Sequence, residues 1–328
     1  MADYKRIKGF KIQSASSDPS NPIEGQIWYN STSATLKGYS KAGGIPAGVW
    51  SAGGTLNDAR EQGAAFGTLT AGVAVGGGNP GLWVEEYNGT SWTEMTEFAV
   101  RVVGSGATGT ATAGIIYGTG HLPSSGDNKD AYTYNGTSWT QTADINTGRN
   151  VGGSAGGLQT SALYAGGSTP TAWTDVAETE IWNGTSWIEV NDLNDGRYYL
   201  KGGGTTTAAV LAGGAYGDLP VNPTQSEQWN GTNWTEGDNL NSGRAFLTGG
   251  GSQFASCLIF GGGPPITGNT EFWNGTSWTE MNDMATASET SFGTTQSTGL
   301  STYRARTPAG GETEEWTVDA ATATVTVS

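Results

Sequence analysis

The chain has 328 residues, of which 30 are acidic and 15 basic, so its formal net charge is −15, and it contains one cysteine. This length accommodates one large domain with an appendage, and the single cysteine excludes an intrachain disulfide. The negative charge argues against nucleic-acid binding through phosphate neutralisation, and no apolar run approaches the roughly 20 residues that membrane insertion requires.

Residues 1–47 are predicted to form a small N-terminal unit, and residues 48–328 the main domain. In the first unit, residues 25–30 and 34–39 flank the polar residues 31–33 and predict a small β-hairpin.

The main domain is dominated by the phrase Trp-Asn-Gly-Thr-Ser-Trp and its near copies. Two copies begin with Tyr instead of Trp, and one has Asn in place of Ser. The copies span residues 87–92, 134–139, 182–187, 229–234 and 273–278. Asn-Gly is a strong hairpin signal because both residues tolerate the positive φ of a type I′ turn. Each copy therefore predicts two antiparallel strands joined by a tight turn.

The same letters, Asn-Gly-Thr, also match the acceptor for N-glycosylation. Glycosylation requires secretion, and the start of the chain has no apolar segment of the kind a signal peptide contains. The turn is therefore the favoured interpretation.

Successive copies are separated by 47, 48, 47 and 44 residues, counted between their asparagines. A period of 40 to 50 residues with four strands predicts an all-β fold, a β-propeller. The blades are expected to begin near residues 56, 98, 146, 193, 240 and 284. Six blades are favoured, and seven remain open if residues 27–50 build another. Residues 48–51 and 323–328 are rival candidates for the strand that closes the ring.

Charged and aromatic residues recur at equivalent positions in most repeats. They are the arginines Arg60, Arg149, Arg197 and Arg244, the glutamates Glu85, Glu180, Glu227 and Glu271, and the tryptophans Trp92, Trp139, Trp187, Trp234 and Trp278. An active site needs convergence rather than equivalence, so we interpret the charged residues as structural Glu–Arg pairs. The tryptophans are expected to pack between blades rather than to stack on sugars.

An Arg near the start of each blade, a double glycine after its second strand, and an aromatic residue before a turn and Trp together resemble the kelch repeat. The resemblance covers about residues 50–328 and implies a kelch-like propeller. The sequence departs from the pattern at Ser288, where Arg is expected, at Gly-Thr-Gly 118–120, and after Trp316, where Asn-Gly is missing.

Residues 22–30 and 36–39 are similar to segments of tail-fibre and other virion proteins of bacteriophages, notably marine ones. The resemblance implies a structural protein of the phage virion, in its capsid or tail, that other virion proteins hold through the N-terminal arm. It implies that the N-terminal segment serves attachment or oligomerisation. The residues expected to dock on the particle are Lys5, Arg6, Lys8, Trp28 and Tyr29. By analogy with such fibres, a homo-oligomer is expected.

The long, variable loops follow the second strands and share a face with the connections after the fourth strands. Variability on one face of a repeat array marks the expected binding side. The ligand-binding candidates there are Trp83, His121, Trp173, Tyr216 and Asp218.

No catalytic residue, metal ligand or cofactor site is predicted. The chain has a single histidine, and Cys257 lies in an apolar context typical of a buried strand. The favoured function is a non-enzymatic virion appendage whose loop face binds a host-surface glycan or protein. The alternatives are a carbohydrate-active enzyme that uses the central pocket and an intracellular kelch-like interaction module.

Overall fold

The computed structural model describes residues 12–17, 27–39, 48–119, 127–170, 173–217, 223–288, 292–295, 299–302, 311–318 and 322–324. All regular structure in these residues is β-strand, as the sequence predicts. No helix with the length and apolar character of a membrane span occurs in this part of the chain.

Twenty-eight strands are described. The first fourteen are β1 (Gln13–Ala15), β2 (Ile27–Asn30), β3 (Thr35–Tyr39), β4 (Gly48–Ala52), β5 (Ala64–Thr68), β6 (Ala71–Val75), β7 (Val84–Tyr87), β8 (Trp92–Glu94), β9 (Gly106–Thr110), β10 (Ala113–Thr119), β11 (Asp130–Tyr134), β12 (Trp139–Gln141), β13 (Gly153–Leu158) and β14 (Ser161–Ala165). The remaining fourteen are β15 (Thr179–Trp182), β16 (Trp187–Val190), β17 (Lys201–Gly204), β18 (Ala209–Ala212), β19 (Ser226–Trp229), β20 (Trp234–Glu236), β21 (Thr248–Gln253), β22 (Ser256–Phe260), β23 (Thr270–Trp273), β24 (Trp278–Glu280), β25 (Phe292–Thr295), β26 (Gly299–Thr302), β27 (Thr313–Val318) and β28 (Thr322–Thr324).

The chain divides into two compact units, a larger one over Gly48–Thr317 and a smaller one from Met1–Ala47 and Val318–Ser328. The larger unit contains six four-stranded sheets. We number them one to six from the sheet β5-β6-β7-β8 to the sheet that begins at β25. Their first strands contact one another in a closed cycle, β5, β9, β13, β17, β21, β25 and back to β5. The larger unit is therefore a β-propeller, with the first strands innermost.

The sixth sheet takes its outermost strand from the other end of the unit, because β4 follows β25, β26 and β27 in its strand order. Trp50 of β4 lies 4.8 Å from Phe260 and 5.4 Å from Trp316 between ring centroids. Its indole N–H also donates to the Thr270 hydroxyl of the fifth sheet over 3.0 Å. Of the two candidates for the strand that closes the ring, the N-terminal one, β4, occupies that position.

The other candidate has a different partner. Thr322–Thr324 pairs with β3 in the smaller unit, whose sheet has the order β1-β2-β3-β28. Residues 325–328 lie outside the described residues. In the same sheet, β2 and β3 form the predicted antiparallel hairpin, with Asn30 opposite Thr35. Strand β1 adds to it in parallel, a pairing that the sequence did not predict.

The Asn-Gly hairpins join the third and fourth strands as predicted, but their turns are not of type I′. Only the glycine has positive φ, for example +91° at Gly89 and +93° at Gly184. The asparagine instead follows the last residue of the third strand, and its side-chain oxygen accepts the amides of the residues two and three positions further along. In the first repeat Asn88 Oδ1 accepts Thr90 N over 2.9 Å and Ser91 N over 3.0 Å. Glycine at the first central position is the arrangement of a type II′ turn.

Candidate functional site

The repeated arginines and glutamates form one buried cluster in each of four sheets, the first, third, fourth and fifth. Arg60 donates to Glu85 over 2.9 Å, and both side chains are fully buried. The other oxygen of Glu85 accepts the backbone N–H and the side-chain N–H of Asn57, over 2.9 and 2.8 Å. Each carboxylate lies on the third strand of its sheet. Its hydrogen bonds link that strand to the connection that leads into the first strand of the same sheet. Equivalent clusters occur at Asn146–Arg149–Glu180, Asn194–Arg197–Glu227 and Asn241–Arg244–Glu271.

These arginines also explain the double glycines. The Arg197 and Arg244 carbonyls accept the amides of Gly167 and Gly214, the second glycines of the preceding sheets, over 2.7 and 3.1 Å. A Cβ on Gly166 or Gly213, the first glycines of those pairs, would lie 2.6 Å from the same carbonyls. This contact distance is too short for a side chain, so glycine is required where neighbouring sheets meet. The arginines therefore connect strands within a sheet and between sheets.

The second sheet replaces the polar cluster by an aromatic pair. Phe98 and Tyr132 stand where the other repeats have Asn and Glu, and their ring centroids lie 4.8 Å apart at 85°. Arg101 then has no glutamate at the repeat position, and it donates to the Gly78 carbonyl of the first sheet over 3.2 Å. In the sixth sheet Ser288 replaces the arginine, while Glu314 still accepts the amides of Ala285 and Thr286. Both exceptions occur where the sequence departs from the repeat.

The repeat tryptophans lie inside the propeller. Four of them, Trp92, Trp187, Trp234 and Trp278, are buried, and Trp139 is half-buried. The indole N–H of Trp234 donates to the Thr179 hydroxyl of the third sheet over 3.0 Å, the same kind of link that Trp50 makes. These rings therefore fill the spaces between sheets.

The tyrosines that replace the first Trp of the repeat are accompanied by an acid on the preceding sheet. The Tyr134 hydroxyl donates to Glu86 over 2.7 Å, and the Tyr87 hydroxyl donates to Glu315. Burial, together with the bond to Glu315, raises the pKa of Tyr87 to about 12. The two tyrosines are therefore matched to acids across the sheet-to-sheet contact.

Of the five predicted ligand-binding residues, three lie among the described residues. Trp173 is exposed at 49%, and Trp83 and Tyr216 are half-buried. His121 and Asp218 lie outside the described residues. Trp83, Trp173 and Tyr216 belong to loops after second strands. The loops of the third and fourth sheets are joined by a bond from the Gly217 amide to Asp175, 2.5 Å long.

A ring of residues with left-handed backbone conformation on the same face was not predicted. It consists of Gln62, Gly104, Val151, Tyr199 and Phe246, which we call the inner ring. Each lies two positions before the first strand of its sheet and has φ between +54° and +67°. The sequence does contain a signal, because four of the five residues follow a repeat arginine by two positions. Their side chains differ, however, so the positions are not recognisable as equivalent from the sequence.

Backbone hydrogen bonds connect four members of the inner ring from one sheet to the next. Gly104 N donates to Gln62 O over 2.7 Å, Val151 N to Gly104 O over 2.6 Å, and Tyr199 N to Val151 O over 2.7 Å. A left-handed conformation costs a residue with a side chain about 1–2 kcal/mol, and a β-branched residue such as Val151 rarely adopts it. The hydrogen bonds of the inner ring keep these residues in the strained conformation. Backbone strain of this kind is typical of functional sites.

Aromatic side chains gather on one side of the inner ring. The Tyr199 and Phe246 rings lie 4.1 Å apart between centroids, and Tyr198 lies 5.4 Å from Tyr199. Tyr199 and Phe246 are both half-buried, so each keeps part of its ring open to solvent. Rings that are partly open and fixed in place offer an apolar, flat surface to a ligand.

The axis of the ring of sheets contains a cavity of about 90 Å³. Residues of the first strands β5, β9, β13, β17 and β21 line it, and nearly all are glycine, alanine, serine or threonine. Lys201, the first residue of β17, is the one ionisable side chain among the described lining residues. Burial lowers its pKa to about 8. The cavity therefore presents small side chains and a single amine.

No group of three or more His, Cys, Asp or Glu side chains suited to hold a metal ion occurs in the described part of the chain. Cys257 is buried, as its sequence context predicts, and burial raises the pKa of its thiol.

The residues predicted to dock on a particle belong to the smaller unit. Trp28 is buried there and Tyr29 is exposed, because successive residues of β2 alternate between the two faces of its sheet. Ile27 shares the exposed face with Tyr29. Lys5, Arg6 and Lys8 lie outside the described residues.

No protein-family model and no curated protein matches the chain. The chain is similar to the solved structure of YjhT, with a TM-score of 0.62 and 11% sequence identity, over 80% of this chain and 96% of that chain. YjhT has a propeller-type fold, and at this identity the similarity shows the fold alone. The chain is a β-propeller protein.

Proposed function

We propose that this protein is a non-enzymatic recognition protein. Its propeller, of six kelch-type blades, binds a host-surface glycan or protein at the loop face, and its smaller unit attaches it to a bacteriophage particle. The attachment and the virion location rest on the resemblance of residues 22–39 to phage virion proteins. The binding role rests on the loop face itself.

The observation that carries the binding role is the contrast between the two faces of the propeller. The opposite face consists of near-identical Asn-Gly turns, which repeat one geometry five times. The loop face carries unlike side chains on the strained inner ring, with Tyr199 and Phe246 in contact and Trp173 exposed in a loop of the third sheet. A repeat fold has no structural need for such differences at equivalent positions.

A binding measurement on glycan arrays and on intact host cells tests the proposed face. Trp173→Ala should abolish or strongly weaken binding, since one central aromatic contact contributes roughly 2 kcal/mol or more. Ile188→Ala is the matched control, because Ile188 is 48% exposed on the fourth strand of the same sheet, away from the loop face. Equal binding by Trp173→Ala, Tyr199→Asn and the wild-type protein would contradict the proposal. If the protein converted a bound glycan to product, the proposal would be wrong and the alternative of a carbohydrate-active enzyme would be favoured.

Attachment is tested separately by co-sedimentation with phage particles. The triple substitution Lys5→Glu, Arg6→Glu and Lys8→Glu reverses the charge of the arm and should release the protein from particles. It should leave glycan or cell binding unchanged. Retention of the triple variant on particles would contradict the arm's role, and absence of the wild-type protein from particles would favour an intracellular module.

A further inference from the structure

The cavity on the propeller axis contains one cation without an internal counter-charge. Lys201 forms no hydrogen bond or ion pair with any residue that the structure describes, and no other described lining residue is ionisable. Its side chain keeps partial solvent exposure although protein surrounds it. An ammonium that is largely removed from water and has no counter-charge is unfavourable, so an anion bound beside it in the cavity would stabilise it.

The fold does not require a lysine at this position. Lys201 pairs with Ala212, the residue before the double glycine of its sheet. The residues with equivalent pairing in four other sheets are Ala64, Gly106, Gly153 and Thr248. None of these is charged, and the sheets form around them equally well. The lysine is therefore a feature of this one sheet rather than of the repeat.

A second polar group without a partner belongs to a residue that lines the same cavity. The Thr248 hydroxyl on the neighbouring strand β21 is buried, its residue only 2% exposed, and it has no hydrogen-bond partner among the described residues. Buried hydroxyls normally form hydrogen bonds. An ammonium and a hydroxyl that both lack partners, on adjacent strands of one cavity, form a pair of donors for a ligand with several acceptor atoms.

We propose that the axial cavity binds a small oxyanion, a carboxylate or a sulfate-like group, with Lys201 as its cation and Thr248 as a second donor. The cavity volume of about 90 Å³ is several times the roughly 10–15 Å³ that one water requires, so a small anion fits. Lys201 begins β17, and first strands begin at the loop face, so the site lies at the end of the cavity nearest that face. This site goes beyond the proposed function and does not depend on it.

Isothermal titration of the full chain with sodium sulfate and with sodium acetate, at ionic strength held constant with chloride, tests the proposal. Saturable binding of at least one anion is expected. Lys201→Met should weaken it at least about tenfold, and Thr248→Val, which keeps the volume and removes the hydroxyl, by up to about tenfold. Lys129→Met, on a loop of the second sheet, is the matched control and should bind as the wild type does.

Sulfate binding should also weaken as the pH rises from 7 to 9.5, because Lys201 loses its proton while sulfate keeps its charge. A preference for acetate assigns the site to carboxylates, and a preference for sulfate assigns it to tetrahedral oxyanions. Two results would overturn the proposal: no saturable binding of either anion by the wild type, or equal binding by Lys201→Met with its folding verified by tryptophan fluorescence.

Discussion

The substitution Glu85→Gln tests whether the buried clusters hold the propeller together. Glu85 has no exposed surface, and its two oxygens accept from Asn57 on one side and from Arg60 on the other. Glutamine keeps the volume but offers one acceptor oxygen, and its amide is a donor. One set of donors, the Asn57 amides or the Arg60 guanidinium, therefore loses its acceptor.

The magnitude follows from the burial of Arg60. Its Nε and Nη1 atoms already have no partner among the described residues, so the bond to Glu85 is its main compensation. Burial lowers the pKa of Arg60, and Glu85 and then Asp58 oppose this shift. Removing one partner of a buried ion pair typically costs 3–5 kcal/mol. Because glutamine retains one acceptor, we expect a loss of about 3 kcal/mol.

Urea unfolding followed by tryptophan fluorescence measures the loss. The double variant Arg60→Met and Glu85→Gln removes the cation as well, and it should recover at least about 1 kcal/mol relative to Glu85→Gln alone. Glu94→Gln, an exposed carboxylate of the same sheet, is the control and should change stability by less than about 0.5 kcal/mol. If the double variant were less stable than Glu85→Gln, Arg60 would not be an uncompensated charge in the single variant, and the reasoning would be refuted.

Three further predictions concern the closing strand, the turns and the axial lysine. Trp50→Ala should lower stability by about 2–4 kcal/mol, because it removes the bond to Thr270 and the contacts with Phe260 and Trp316; an unchanged urea midpoint would contradict this. Gly184→Ala, at φ +93°, should cost about 1–2 kcal/mol in the same assay, whereas Thr185→Ala beside it should stay within about 0.5 kcal/mol. Lys201→Met should raise stability at pH 7 by about 1–3 kcal/mol, because burial lowers the lysine pKa from 10.5 to about 8 only in the folded protein. The unfolded chain holds that proton up to about pH 10.5, so the gain should fade between pH 8 and 10.5, and a gain independent of pH would refute this origin.

The sequence predicted the propeller because its repeat is local. The Asn-Gly hairpin, the glycines and the Arg–Glu spacing each specify a short-range geometry, and their equal spacing implies a radial array. The turn type was predicted wrongly because Asn tolerates positive φ but also accepts backbone amides, and here the second property decides its position. The closing strand was left open because residues 48–51 and 323–328 have equally strand-like compositions.

The candidate site was less accessible to sequence reasoning. Trp173 could be identified because it lies in a variable loop outside the repeat, and it is exposed. The inner ring could not, since Gln62, Val151 and Tyr199 share no side-chain chemistry and are equivalent only in backbone conformation. The axial cavity was also missed. Lys201 precedes three glycines in the sequence, and only the ring of first strands shows that it lines a cavity on the propeller axis.

The origin of the sixth sheet's outermost strand has a consequence for biosynthesis. Residues 48–52 leave the ribosome early, but β27, the strand they pair with, is made some 260 residues later. Until then the early strand presents unpaired amides and carbonyls to any other nascent chain nearby. Translation that stops before residue 313 would produce five sheets and leave β4 without its partner strand. Prematurely terminated chains are therefore the species most prone to aggregate.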